Sequence, residues 1–197
     1  METMLTKEKV LKNTEKYFTT GEKYGFMTDE LMEALGQEFI KAPATTSHEF
    51  HNAFEGGLIS HLLLVTKYAV SINSILPAEQ KIDTKSLVKT CLLSQIGKAK
   101  LYVEKKSKWH NDRGIMYEYD NELTSMSVGE RSVFYALNNG VTLNEDEYQA
   151  IMNHDKDDTD KQAKWFSSTL GIILKQAIEL AIMEEKYKGV KLCDLKA

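Results

Sequence analysis

The side chains best suited to chemistry fall in four separated stretches. His51 and His61 flank Glu55, Gly56 and Gly57; Lys98 follows Ser94 and Gln95 at the end of an apolar run; Arg131 lies just beyond Val128; His154 opens the acidic run through Asp160. The imidazoles at 51, 61 and 154 can bind a transition metal or carry a proton near neutral pH. Lys98 and Arg131 offer the donors that suit a phosphate. The acidic run reads as a solvated loop with a helix cap: a calcium loop needs a glycine at its sixth position and an acid at its twelfth, and that last place is Phe166. No strand pattern precedes Gly56-Gly57, so it is not a phosphate-cradling turn, and no nucleophile elbow occurs. A lone histidine in an apolar helix is commonly a hydrogen-bonded core group, and His61 is open to that role as well as to ligation. His51 is suited either to orienting the Gly56-Gly57 turn or to touching a ligand, whereas His48 and His110 have no supporting context.

Helices must position these groups. Thr6 to Gly21 and Asp29 to Lys41 read as amphipathic helices, the second stopped ahead of Pro43. Leu58, Leu62, Val65, Ala69 and Ile72 recur at helical spacing, which predicts a helix from about Gly57 to Leu76. Asp83 or Thr84 caps a fourth helix whose apolar face runs from Leu87 through Ile96 to Ala99. Between residues 106 and 120 the pattern changes, and Trp109, Ile115, Tyr117 and Tyr119 around Asn111-Asp112-Arg113-Gly114 suit a short β-hairpin. Ser127 begins a fifth helix that ends near Gly140, Asn144 caps a sixth, and Asp160 opens a seventh that ends at Gly189. The expected fold is an all-α bundle of about seven helices with one hairpin excursion.

A chain of 197 residues with 42% hydrophobic residues suffices for one domain with a substantial core, and no linker-like block or internal repeat divides it. Cys91 and Cys193 lack the spacing of a zinc site or a disulfide framework, which fits a reducing cytoplasm. The charged, polar first residues and the absence of eighteen consecutive apolar ones lead us to expect neither a signal peptide nor a membrane span. A net charge of −4 argues mildly against a surface devoted to nucleic acid. Lys98, Lys100, Lys105, Lys106, Lys108 and Arg113, interleaved with Tyr102 and Trp109, form a local segment suited to single-stranded nucleic acid, to a partner protein, or to nothing beyond a charged helix end entering a hairpin.

Four of these stretches, in order, resemble the HD phosphohydrolase superfamily, especially YhaM-type exoribonucleases and small phage-encoded HD proteins. They are the segment from His51 to His61 behind Ala42-Pro43-Ala44, the run from Cys91 to Lys98, Val128-Gly129-Glu130-Arg131-Ser132, and Ile151-Met152-Asn153-His154. The resemblance implies residues 1–41 as N-terminal helices, 42–189 as an HD-like core and 190–197 as a tail. It also implies metal ligands, of which His61 matches the first. Ser94 stands where a second histidine belongs, Gln95 where a bridging aspartate belongs, and Val128 where a further histidine belongs. The last ligand, an aspartate, is expected near Gln176 to Glu179, where none occurs. Serine is a poor transition-metal ligand and an amide carries no charge to offset a dication, so catalytic residues and a metal cofactor are not expected.

Three functions follow as expectations. The first is a pseudoenzyme that binds a partner protein, as a regulatory or structural phage component in the cytoplasm of a bacterial host. The second is a non-hydrolysing binder of a nucleotide or other phosphorylated ligand held near His51, His61, Lys98, Arg131 and His154. The third is a metal-dependent phosphohydrolase with a rearranged site, in which His51, His61 and His154, with Asp155 or Glu55, replace the lost ligands.

Overall fold

Helix caps written into the sequence set most of the α-helix starts. The structure is a computed structural model that describes residues 5–156 and 168–194, with side chains to residue 187. Thr6 accepts from the Lys9 amide to start α1 (Lys7–Tyr24), and Thr28 accepts from Leu31 to start α2 (Asp29–Lys41). Inside α2 the backbone breaks at Gly36, whose φ of 62° a residue with a Cβ rarely adopts. α3 (Gly57–Ile75) follows the entry segment 42–56, and Asp83 caps α4 (Thr84–Leu93). Capping boxes at Ser127/Glu130 and Asn144/Glu147 open α6 (Val128–Asn138) and α7 (Glu145–Asn153). The last helix, α8, spans Thr169–Asp194.

The all-α class and the hairpin excursion hold, with differences in detail. β1 (Tyr102–Glu104) pairs antiparallel with β2 (Tyr117–Tyr119), Tyr102 opposite Tyr119. The first strand therefore precedes residue 106, and the four-residue α5 (Lys108–Asn111) occupies the hairpin's far end. Arg113 folds back there to stack 3.5 Å above the Trp109 ring. The expected fourth helix stops at Leu93: Gln95 adopts φ −125° and ψ 19°, and a 3₁₀ turn (Ile96–Lys98) follows. That break turns Gln95 and Lys98 away from the line of α4. α8 runs past Gly189 to Asp194, so residues 190–194 extend a helix instead of forming a tail; the start expected at Asp160 lies outside the described residues.

The long α3 and α8 pack along one another and bury Val65, Ala69, Leu170, Ile173, Leu174, Ala177 and Ala181 with Leu87 and Cys91 of α4. Tyr17, Leu31, Phe39, Leu58, Leu62, Leu92, Ile96 and Ile151 form the larger core cluster on the other side. Tyr17 donates its hydroxyl to the Leu92 carbonyl (2.9 Å), which ties α1 to the end of α4. α3 is long and apolar enough to cross a membrane by length and composition alone, a test that core helices also pass; its buried stripe is shared between the two core clusters.

The entry segment closes on itself. Gly56 and Leu58 donate to the carbonyls of Lys41 and Ala42, Gly57 donates to Phe54, and Ala44 donates to Asn52 (3.0 Å). A Cβ on Gly57 would lie 2.2 Å from the Asn52 carbonyl oxygen, a backbone atom with little freedom to retreat. Gly57→Ala is therefore expected to lower the unfolding free energy by about 2 kcal/mol, in the range typical of overpacked sites. Urea unfolding of the variant checks this, and an unchanged midpoint would contradict the packing described.

Candidate functional site

Lys98 fixes the geometry of the site because an ammonium can only donate. Its Nζ donates to the Ala44 carbonyl (2.9 Å) and to Gln95 Oε1 (2.7 Å). With its oxygen held by Lys98, the Gln95 amide presents its nitrogen to His61 Nε2, 3.1 Å away. That ring nitrogen must accept, so the proton of the neutral imidazole sits on Nδ1, which donates to Glu185 Oε2 (2.9 Å). Asn52 Nδ2 donates to the other oxygen, Oε1, of the same carboxylate at 2.7 Å. Both ring nitrogens of His61 and both oxygens of Glu185 are thereby engaged, and the chain of bonds runs from a cation to an anion through two neutral groups.

Burial keeps these imidazoles neutral. His61 is fully buried, and loss of solvation, followed by the nearby Lys98 and His154, pushes its pKa down to about 3. Its bond to Glu185 is accordingly that of a neutral imidazole to a carboxylate, not an ion pair. Burial, then His61, Lys98 and Lys186, pushes His51 down to about 2; the His51 ring lies 4.8 Å from that of His61. Burial also lowers His154, against the pull of Asp155, and its Nδ1 donates to the Ile151 carbonyl at 2.7 Å. Lys98 drops to about 8 through burial, with Asp155 and Glu185 acting to keep it charged.

Of the residues singled out in the sequence, His51, His61, Gln95 and Lys98 come together, with His154 near enough to act on His61 and Lys98 electrostatically. Arg131 does not join them: it is buried against Gly97 with its Nη2 donating to the Thr124 carbonyl (2.5 Å), and none of its hydrogen bonds reaches His61, Lys98 or His154. Ser94 turns its hydroxyl to the Cys91 carbonyl one turn back (2.9 Å), so it closes its own helix end and takes no part in the site. Val128 offers its backbone carbonyl to Ser132, and Glu55 and Asp155 are exposed. The basic segment is not one basic face, since Lys98 points inward, Lys105 pairs with Glu118 and Arg113 is stacked on Trp109.

Two participants, Glu185 and Asn52, escape the sequence reading. The final-helix carboxylate stands beyond the expected Gln176 to Glu179, and it is a glutamate. A signal for it exists: the buried stripe Leu170, Leu174, Ala177, Ala181 continues by one helical step to Glu185, which puts an acid on the apolar face of α8. Among the described residues, His51, His61 and Glu185 each place one possible ligand atom within 4.8 Å of the other two.

Family profiles, curated proteins and solved structures were each compared with the chain, and none matches it.

The metal set implied by the HD resemblance does not fit these side chains. Position 94 faces away, position 95 is an amide held by a lysine, and the Gln95 nitrogen already occupies His61 Nε2. The pH dependence follows from the three depressed histidines. An unfolded histidine takes up a proton near 6.5, whereas folded His51 and His61 stay neutral well below that and His154 is shifted in the same direction. Their contribution is therefore level above about pH 7 and turns against the fold as pH falls from about 6.5 toward 3. Melting temperature measured from pH 8 to pH 4 should decline through that window. A flat profile, or one that falls only below pH 4, would show that the imidazoles are not buried in neutral form.

Proposed function

We propose that this chain is a catalytically degenerate HD-type domain, a pseudoenzyme that acts by binding a partner protein. The observation that carries the reading is the engagement of His61 by Gln95, with Lys98 holding the far end of the same amide. HD hydrolysis depends on imidazoles and carboxylates converging on metal ions that acidify a water and neutralise phosphoryl oxygens. Here Lys98, Gln95, His61 and Glu185 engage one another, and a buried network of this kind rigidifies a fold more readily than it does chemistry. No metal cofactor belongs to this reading.

The hairpin supports a role in protein binding. Trp109, Val103 and Tyr119 are exposed on it, and Trp109 carries Arg113 stacked on its ring. Tryptophan, tyrosine and arginine are the residues that most often carry binding energy at protein interfaces. The phage setting and the cytoplasm of a bacterial host belong to the proposal through the HD resemblance alone.

A second reading, a non-hydrolysing binder of a nucleotide or other phosphorylated ligand, draws on one specific observation. Lys98 spends two of its three N–H donors on Ala44 and Gln95, which leaves one for an oxyanion. Arg131, turned to Thr124, does not strengthen it.

Elemental analysis tests the leading reading. After exposure to manganese, iron, zinc or nickel and desalting, the wild-type protein should retain well under one ion per chain in every case. One or two ions per chain would overturn the pseudoenzyme reading and favour the rearranged phosphohydrolase. Nucleotide titration of the metal-free protein separates the two binding readings, with no saturable heat expected for the protein-binding one.

A further inference from the structure

His51 has an unfilled valence. Its Nε2 is buried and meets no hydrogen-bond partner among the described residues, a condition that in native proteins calls for a bound water, ion or ligand. The ring sits beside His61, and His51, His61 and Glu185 bring one donor atom each within 4.8 Å of the others. The three come from separate elements: the entry segment, α3 and α8. Two imidazoles and one carboxylate are a donor set that zinc takes in tetrahedral geometry, with water as the fourth ligand. Tetrahedral bonds of about 2.1 Å would set the donor atoms roughly 3.4 Å apart. His61 Nδ1 and Glu185 Oε2, at 2.9 Å, are already that close, so the remaining contraction falls on half-buried His51 in the entry segment.

A proton blocks the site. Zinc at His61 would need the Nδ1 lone pair, which requires the proton to reside on Nε2. Nε2–H would then face the Gln95 amide nitrogen, donor against donor. Gln95 cannot turn over to offer its oxygen instead, because that oxygen is held by Lys98 at 2.7 Å and a reversed amide would point its N–H groups at an ammonium. The positive charge of Lys98 further opposes a dication nearby.

We propose that His51, His61 and Glu185 form a latent zinc-type site, and that Lys98, acting through Gln95, keeps it closed by fixing the tautomer of His61. The ligand set shares His61 with the one the HD resemblance implies, but it takes His51 in place of positions 94 and 95 and a glutamate of α8 at a different position from the expected aspartate. When Lys98 is removed, the Gln95 amide rotates by half a turn and its oxygen accepts from Nε2–H. The imidazole proton moves from Nδ1 to Nε2, no proton is lost from the ring, and the Nδ1 lone pair faces Glu185 and His51. The inference rests on the reading of the wild-type chain as metal-free, and the two fail in different ways.

The test uses the full chain with zinc ion alone as the probe, by isothermal titration of chelator-treated protein, with circular dichroism and urea unfolding to verify the fold. Lys98→Met is expected to take up one zinc per chain with affinity about 10- to 100-fold above wild type, the scale on which partners of a ligating histidine tune metal affinity. Adding His51→Ala should return the affinity to the wild-type level. Because Lys98→Met leaves the Ala44 carbonyl without its partner and can compromise folding, Gln95→Leu provides the second route. It frees His61 Nε2 while leaving Lys98 on Ala44, and should also raise zinc affinity over wild type. A folded Lys98→Met or Gln95→Leu protein with no gain in zinc affinity, or a gain insensitive to His51→Ala, overturns the inference while leaving the pseudoenzyme reading intact. Stoichiometric, His51-dependent zinc in the wild-type chain overturns both the gate assigned to Lys98 and the metal-free reading.

Discussion

A closed circuit of hydrogen bonds around Lys98 is the constraint on which the rest of this structure turns. Lys98 donates to Ala44 and Gln95, Gln95 to His61, His61 to Glu185; Asn52 donates to the same carboxylate, and the Ala44 amide donates to the Asn52 carbonyl to complete the ring. The circuit has a direction. Lys98 only donates, Glu185 only accepts, and the neutral amide and imidazole between them each accept once and donate once. The orientations of Gln95 and His61 are therefore set by the two charged ends. Burying a lysine and a glutamate separately would be costly, because neither could find water to replace its hydration. Relayed through two polarisable neutral groups, the two charges stabilise each other at a distance and leave the intervening valences filled. The same ring ties the entry segment at both Ala44 and Asn52 to α3, α8 and the turn after α4, so local chain order there depends on the network.

Much of the fold was legible because it is written in local terms. Thr6, Asp83, Ser127 and Asn144 cap the helices that begin there, since each supplies a side-chain oxygen to the amide three residues on. The end of α4 was not legible. Leu92, Leu93, Ile96 and Ala99 continue an apolar helical pattern, and all are buried, yet the backbone breaks at Gln95. Periodicity reports which positions face a core and says little about a bend that keeps them facing it. That bend decides the site, because it sends Gln95 toward His61 and Lys98 toward Ala44. The orientation of Arg131 was equally beyond reach: its neighbour Gly97 belongs to a segment brought to it only by tertiary folding, and its acceptor Thr124 lies in the irregular stretch ahead of α6. Glu185 was missed for a different reason, since an expected aspartate directed attention two turns too early on α8.

Ser94 and Gln95 stand side by side where the HD resemblance implies an active pair, but they carry different weight. Ser94 is fully buried and its hydroxyl returns to the Cys91 carbonyl, so it spends its hydrogen-bonding capacity within its own helix. Gln95 is bound at both ends by groups from outside that helix. A glutamate at position 95, the isostere of the amide, would suit the Lys98 ammonium with one oxygen and set the other against His61 Nε2. With Glu185 at Nδ1, only an imidazolium could donate to both carboxylates, which would put a charge on a fully buried ring. The amide avoids this conflict because it is itself polar in one direction, oxygen to the lysine and nitrogen to the histidine. Seen this way, Gln95 is the residue that permits a lysine and a glutamate to be joined through a neutral histidine. A return to carboxylate chemistry at position 95 would require Lys98 and Glu185 to change their roles as well.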